Sequence, residues 1–294
     1  MDKPKIGFIG LGLMGSAMVE CLQKAGYTLV VLGNRDRTGI EAALGRGATE
    51  AATAREIAET ADVVMFCMGT SDHVEGRVYG DDGVLAGVKS GQIVIDFGTS
   101  LPASTQKIGA DVAAKGAHYL DAPLGRTPAH AVGGNLNIMC AGNEGAYAEV
   151  KPLLDVLGEN VFHLGPLGAG HTIKLINNFF AMTTASAMSE AFAMADAAGI
   201  EREKLYSVMS AGPLKSGMMD FIKAYATEGR IDLAFSIANA AKDVGYYRSM
   251  AEGLGRQSYM SGCAHELLST ARDDGYGEKL VPQVVDYIAE KAKA

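Results

Sequence analysis

The sequence predicts an α/β protein. A doubly wound, mostly parallel sheet occupies residues 1–165 and an all-α domain occupies residues 166–294. Three observations predict this. Short apolar runs alternate with helical stretches through the first half. Gly10, Gly12 and Gly15, at the G-x-G-x-x-G spacing, stand between the first apolar run and the first amphipathic stretch. After Gly165-Pro-Leu-Gly168 the alternation stops and only helical patterns follow.

Taken in order, the first strand is Lys5–Ile9, and the glycine turn leads into a helix over Met14–Ala25. Gly10 makes a tight turn, Gly12 lets the backbone approach phosphates, and Gly15 lets helix and strand pack closely. The free N–H groups and the dipole at the helix N-terminus favour a pyrophosphate. This is the dinucleotide-binding Rossmann pattern. Further strands read as Thr28–Leu32, Val63–Met68, Gln92–Phe97, His118–Asp121, Leu136–Cys140 and Asn160–His163. Helical patterns between them include Thr53–Thr60, Pro102–Lys115 and Glu144–Leu157. The last strands follow each other closely and are expected to extend the sheet at one edge. The second domain reads as helices over about 170–198, 201–211, 215–227, 234–253, 258–273 and 280–294.

Composition bounds the function. A net charge of −8 and the absence of a basic stripe argue against nucleic acid. Ile173–Ile200 is rich in Ala, Met and Phe but carries Lys174, Asn177, Asn178, Glu190 and Asp196, which a membrane span would bury in hydrocarbon. It reads as a long buried helix, joining domains or packed on another subunit. Cys21, Cys67, Cys140 and Cys263 are far apart, without metal-like spacing, and read as buried thiols of a cytoplasmic protein. The apolar N-terminal run is short, broken by glycines, and reads as a strand rather than a signal peptide.

The turn after the second strand selects the cofactor. A carboxylate there binds the ribose 2′-hydroxyl of NAD. Here the position holds Asn34, then Arg35, and an arginine attracts a 2′-phosphate through charge-assisted hydrogen bonds. NADP(H) is therefore favoured over NAD(H). Asp36 keeps NAD(H) open if the turn is longer. Leu11, Leu13 and Met14 between the glycines, and Met68 at a strand end, complete the expected cofactor surface.

Two further regions carry candidate chemistry. Lys174 and Asn178 are four apart, so they project from the same side of a helix. A lysine near the start of a buried helix opposes the dipole, and an acid/base role explains it. A lysine that snorkels to water explains the spacing equally. Asp96-Phe-Gly-Thr99-Ser-Leu-Pro102 and Asp121-Ala-Pro-Leu-Gly125-Arg126-Thr127 both end strands, where ligands bind in open α/β sheets. Gly125, Arg126 and Thr127 offer close backbone approach, a cation and a hydroxyl for an anionic head group. A turn with an exposed arginine is the plain alternative. Lys242-Asp243 is a surface or a cleft ion pair.

Together these residues resemble the β-hydroxyacid dehydrogenase family, which includes 3-hydroxyisobutyrate, tartronate semialdehyde and succinic semialdehyde enzymes. The resemblance covers essentially the whole chain. Gly10 to Gly15 is similar to the family's N-terminal fingerprint. Asp96 to Pro102 is similar to its D-x-S-T-x-x-P loop, with Gly98 in place of the serine. Gly170 to Asn178 matches G-x-x-x-K-x-x-N-N, the most specific of these motifs, and Lys242-Asp243 matches a late K-D pair. The resemblance implies that Lys174 is catalytic, that Asn178 supports substrate binding, that Lys242 lies near the cofactor and that Thr99 touches the nicotinamide ribose region. Most members carry D-A-P-V-S-G-G where this chain has Gly125-Arg126-Thr127. That version resembles the sulfolactaldehyde-reducing branch, whose arginine holds a sulfonate.

The expected reaction is hydride transfer from NADPH to a short anionic aldehyde, with Lys174 as general acid/base and no metal. Other substrates of the family are the alternatives: succinic or tartronate semialdehyde, or 3-hydroxyisobutyrate. A non-catalytic dinucleotide-binding module is the reading of another class.

Overall fold

Strands whose residues are apolar in succession are buried on both faces and need helices over each. The computed structural model describes residues 3–33 and 36–291 and divides into two compact units after Lys174. In the first unit, β1 (Ile6–Ile9), β2 (Leu29–Leu32), β4 (Val63–Phe66) and β5 (Ile93–Asp96) are buried along their whole length, with β3 (Thr49–Ala51) and β6 (His118–Asp121) at the edges. All pair in parallel, in the order β3-β2-β1-β4-β5-β6. The order reverses between β1 and β4, and open α/β sheets bind ligands in the crevice at such a point.

The helices of this unit are α1 (Leu13–Lys24), α2 (Thr38–Gly45), α3 (Ala54–Thr60), α4 (Ser71–Val78), α5 (Val84–Gly87), α6 (Pro102–Ala113), α7 (Pro128–Val132) and α8 (Glu144–Leu157). Ile6, Phe8, Val31, Met65 and Ile95 face one layer, with Met18 and Leu22 of α1 and Leu154 of α8. Ile9, Val30, Val64, Phe66 and Val94 face the other, with Ile57 of α3 and Ile108 of α6. Thr53, Thr70 and Asn143 cap α3, α4 and α8 by accepting a backbone N–H through the side chain.

Three features differ from the sequence reading, the first being that Leu124–Gly125, read as loop, pairs as a two-residue strand. The strand β3 has no apolar run to betray it: Thr49 and Glu50 are exposed, as suits a short polar edge. The closely spaced later strands do not extend the main sheet. β7 (Leu124–Gly125), β8 (Leu136–Cys140) and β9 (Gly158–His163) form a separate three-stranded sheet, antiparallel at β7–β8 and parallel at β8–β9. Pro123, just past β6, has no N–H with which to continue the ladder.

The long helix α9 (Ala169–Ala197) begins in the first unit and continues in the second. It is followed by α10 (Arg202–Ser210), α11 (Gly217–Glu228), α12 (Ile237–Gly253), α13 (Ser261–Ala271) and α14 (Val284–Lys291). The described residues of the second unit contain no strand beyond one isolated bridge between Ser236 and Leu280. Met182, Phe192, Ile222, Val244, Leu268 and Val285 centre its core. The helix α9 is not buried all round. Ile173, Ile176, Phe180 and Met194 are exposed, and the 3.6-residue period places them in one stripe. Leu175, Asn178, Met182 and Phe192 lie on the opposite, buried side. No helix among the described residues is long and apolar enough to cross a membrane.

Candidate active site

The glycine turn is built from three different needs. Gly10 has φ +104°, and a Cβ there would stand 2.3 Å from the Cys67 carbonyl oxygen and 2.9 Å from Met68 Sδ. A side chain in that region is strained and has no room. Gly15, in the first turn of α1, is required by packing: a Cβ would stand 1.9 Å from the Gly10 carbonyl oxygen. Gly12 is the opposite case. It is the N-cap of α1, and a Cβ on it would meet nothing within 4 Å. The first turn of α1 carries no acidic side chain, so the positive end of its dipole is unopposed. Leu13 is 80% exposed beside this open space. The turn fits a dinucleotide pyrophosphate.

Asn34 and Arg35, on which the cofactor reading rests, lie outside the described residues. Their neighbours are engaged. Asp36 accepts a hydrogen bond from the Thr38 amide (2.9 Å). Arg37 donates to both Glu50 oxygens (2.6 and 3.0 Å) and to Glu41 (3.1 Å), and the guanidinium holds the Glu50 carboxyl below the usual carboxylate range.

Beyond β5 the chain turns through Gly98, Thr99 and Ser100. Asp96 holds this turn by accepting from the Gly98 amide and the Ser100 hydroxyl, each at 2.8 Å. A Cβ on Gly98 would stand 2.9 Å from both Asp96 Oδ1 and the Met68 carbonyl oxygen, which accounts for glycine where the family pattern has serine. Thr99 is half-buried at the tip. The Leu101 amide donates to Ser71 Oγ (2.8 Å), tying the turn to α4.

Beyond β7, Arg126 has φ +76°, the single non-glycine residue with positive φ among those described. Its guanidinium is placed by the small sheet: Nη1 donates to the Asn135 carbonyl (2.8 Å) and to Glu159 of β9. Nε and Nη2 hold no protein hydrogen bond among the described residues. Thr127 Oγ1 hydrogen-bonds His130 Nδ1 (2.9 Å) at the start of α7. Gly125 pairs with Asn137, half-buried.

Lys174 is half-buried on the second turn of α9. The first turn is anchored to β6. Asp121, fully buried, accepts from the Gly168 amide (2.8 Å) and the His171 amide (2.7 Å). Burial pushes the Asp121 carboxyl above its ordinary value, and His171 and these backbone donors pull it back. Gly170 permits the approach, since a Cβ would stand 2.2 Å from the Met139 carbonyl oxygen. Sequence reasoning gave no role to Asp96, Asp121, His171 or Glu159. The available signals were a carboxylate at the end of each apolar strand and a histidine one helical turn before Lys174.

In the second unit Asn178 is buried, and its Nδ2 donates to Asp243 Oδ2 (2.6 Å). Lys242 Nζ lies 3.0 Å from Asp243 Oδ1 and over the Tyr246 ring. The Lys242–Asp243 pair is thus largely buried, and Asp243 fixes the Asn178 amide. Among the described residues no group of three or more His, Cys, Asp or Glu side chains is placed to hold a metal ion. The four cysteines are free; only Cys140 is buried as expected, while Cys21 and Cys67 are half-buried and Cys263 is exposed.

Residues 5–165 match the family described as the NAD-binding domain of 6-phosphogluconate dehydrogenase. Residues 168–288 match that described as NAD-binding of NADP-dependent 3-hydroxyisobutyrate dehydrogenase. The chain is 32% identical over 284 residues to the NAD-dependent L-serine dehydrogenase of Pseudomonas aeruginosa, covering 94% of each protein. It is 30% identical over 277 residues to the 3-sulfolactaldehyde reductase of Escherichia coli, covering 93% of this chain and 92% of the other. A crystal structure of 3-hydroxyisobutyrate dehydrogenase from Salmonella typhimurium aligns over 97% of this chain and 100% of that one, with TM-score 0.83 and 28% identity.

Proposed function

The chain belongs to the β-hydroxyacid dehydrogenase family of NAD(P)-dependent oxidoreductases acting on CH–OH groups, and we propose that within it this protein reduces a short anionic aldehyde with NADPH. One observation carries the reading. Lys174 stands on a helix start that is hydrogen-bonded into the same unit that holds the Gly10–Gly15 turn and the Thr99 loop.

Bound reduced nicotinamide supplies the hydride. The residues of the chain do the rest. The amides at the start of α1 receive the pyrophosphate and Thr99 orients the nicotinamide ribose. Asn34 and Arg35 favour a 2′-phosphate, and the ion pair of Glu50 with Arg37 supports this, because it offsets the nearby Glu50 charge. The Lys174 ammonium stabilises the charge growing on the aldehyde oxygen and delivers the proton. Asn178, held by Asp243, supports substrate binding, and Lys242 contributes on the cofactor side.

Arg126 selects an anionic head group. Both of its protein bonds use Nη1, which leaves the Nε–Nη2 edge, a geometry that matches an oxyanion bidentately. Gly125 and Thr127 flank it. A sulfonated aldehyde such as sulfolactaldehyde fits this reading best, with succinic and tartronate semialdehydes and 3-hydroxyisobutyrate as the other substrates to compare. The exposed stripe of α9 supports a homodimer or homotetramer. The four free thiols fit the reducing cytoplasm.

Lys174→Ala tests the mechanism. Turnover of the aldehyde falls to background while NADPH still binds with the wild-type Kd, measured by nucleotide fluorescence. Retained turnover in that variant rules out the lysine as acid.

A further inference from the structure

We propose that His171 is a positioning residue that locks the Thr99 loop to the first turn of the Lys174 helix. This rests on the oxidoreductase reading above and adds to it the element that fixes hydride donor and proton donor in one frame.

His171 is completely buried, three residues before Lys174 on α9. Its Nε2 lies 3.2 Å from the Gly98 carbonyl oxygen, and that oxygen only accepts, so Nε2 donates. Its Nδ1 lies 2.7 Å from Thr105 Oγ1 of α6, itself buried. Its backbone amide donates to Asp121. One residue therefore bonds three elements: the loop after β5, helix α6 and the end of β6. Gly98 immediately precedes Thr99, and Asp96 fixes the same turn from the strand side. The ring sits between the two buried carboxylates, with Nε2 3.7 Å from Asp96 Oδ2 and Nδ1 3.9 Å from Asp121 Oδ2.

A polar ring this deep needs a partner for each nitrogen, and it has both. An apolar side chain would fill the space without linking the loops, so packing alone does not account for a histidine here. The linkage does. Thr99 adjoins the Gly98 carbonyl that His171 holds, Lys174 stands one turn from His171 itself, and hydride transfer depends steeply on the spacing such groups set.

The test compares His171→Ala, Thr105→Val and Thr105→Ser in the full chain. Without substrate, amide hydrogen exchange in His171→Ala rises together in residues 97–101 and 168–174, while β1 and β4 keep wild-type protection. With the aldehyde, kcat falls about 100-fold, the scale of a displacement near 1 Å. The NADPH Kd stays at the wild-type value, and a deuterated nicotinamide gives a larger isotope effect, since transfer becomes rate-limiting. Thr105→Val moves the same readouts in the same direction, and Thr105→Ser restores them. If His171→Ala fails to fold, the Thr105 pair decides. Exchange that rises in one segment or in neither overturns the lock. So does a kcat loss that merely follows the loss of NADPH-binding sites with an unchanged isotope effect. If the wild-type protein reduces no aldehyde acid, the reductase reading fails while the exchange measurement still judges the lock.

Discussion

At the scale of the residue, Arg126 combines strain with function. A non-glycine side chain in the left-handed region costs about 1–2 kcal/mol. Its exposed ion pair with Glu159 returns about 0–1 kcal/mol. Arg126→Gly therefore relieves strain, loses a weak pair and frees the unfolded chain somewhat. These effects nearly cancel, and the melting temperature is expected to stay close to wild type. The KM for an anionic aldehyde rises about tenfold or more, the worth of a lost charged hydrogen bond, and the KM for a neutral aldehyde barely moves. Equal rises for both substrates would exclude the clamp. The sequence named Arg126 by its charge in a strand-end loop. It did not disclose Glu159, 33 residues away, because that pairing exists only once β9 lies beside β8.

At the scale of the element, the three glycines of the first turn separate binding from folding. Gly12 faces open space at an ordinary φ of −74°, so Gly12→Ala leaves stability unchanged and weakens NADPH binding. Gly15→Ala drives a Cβ into the Gly10 backbone, and overpacking of this kind costs about 1–3 kcal/mol. Calorimetry with a nucleotide titration on both variants checks this. A melting temperature lowered equally by the two would show that Gly12 serves packing. The strand–turn–helix was legible because apolar runs and glycine spacing are local signals. The edge strand β3 was not, since Thr49 and Glu50 carry no apolar pattern. The separate small sheet was hidden too, because spacing along the chain does not say which sheet a strand joins.

At the scale of the whole molecule, ligand linkage tests the cofactor preference. A nucleotide at 100 times its Kd stabilises the state it binds by about 2.7 kcal/mol. NADPH is expected to raise the melting temperature more than NADH at the same concentration, and the reverse order would remove the 2′-phosphate reading. Ile176, Phe180 and Met194 are exposed along α9, and light scattering should report a mass of two or four chains. A single-chain mass at micromolar concentration would leave that stripe without the proposed cover.

The sequence by itself determined the alternation of the apolar strands with helices, the glycine turn, the change to an all-helical region and the lysine helix. Each of these is written in neighbouring residues, as period, spacing or turn chemistry. Only the tertiary structure decided that β7 to β9 form their own sheet, that Glu159 and Asn135 hold Arg126, and that Asp243 holds Asn178. It also decided that His171 joins Gly98, Thr105 and Asp121. Those partners are separated by tens of residues, and a buried hydrogen bond between them acquires its energy only when folding has removed the competing water.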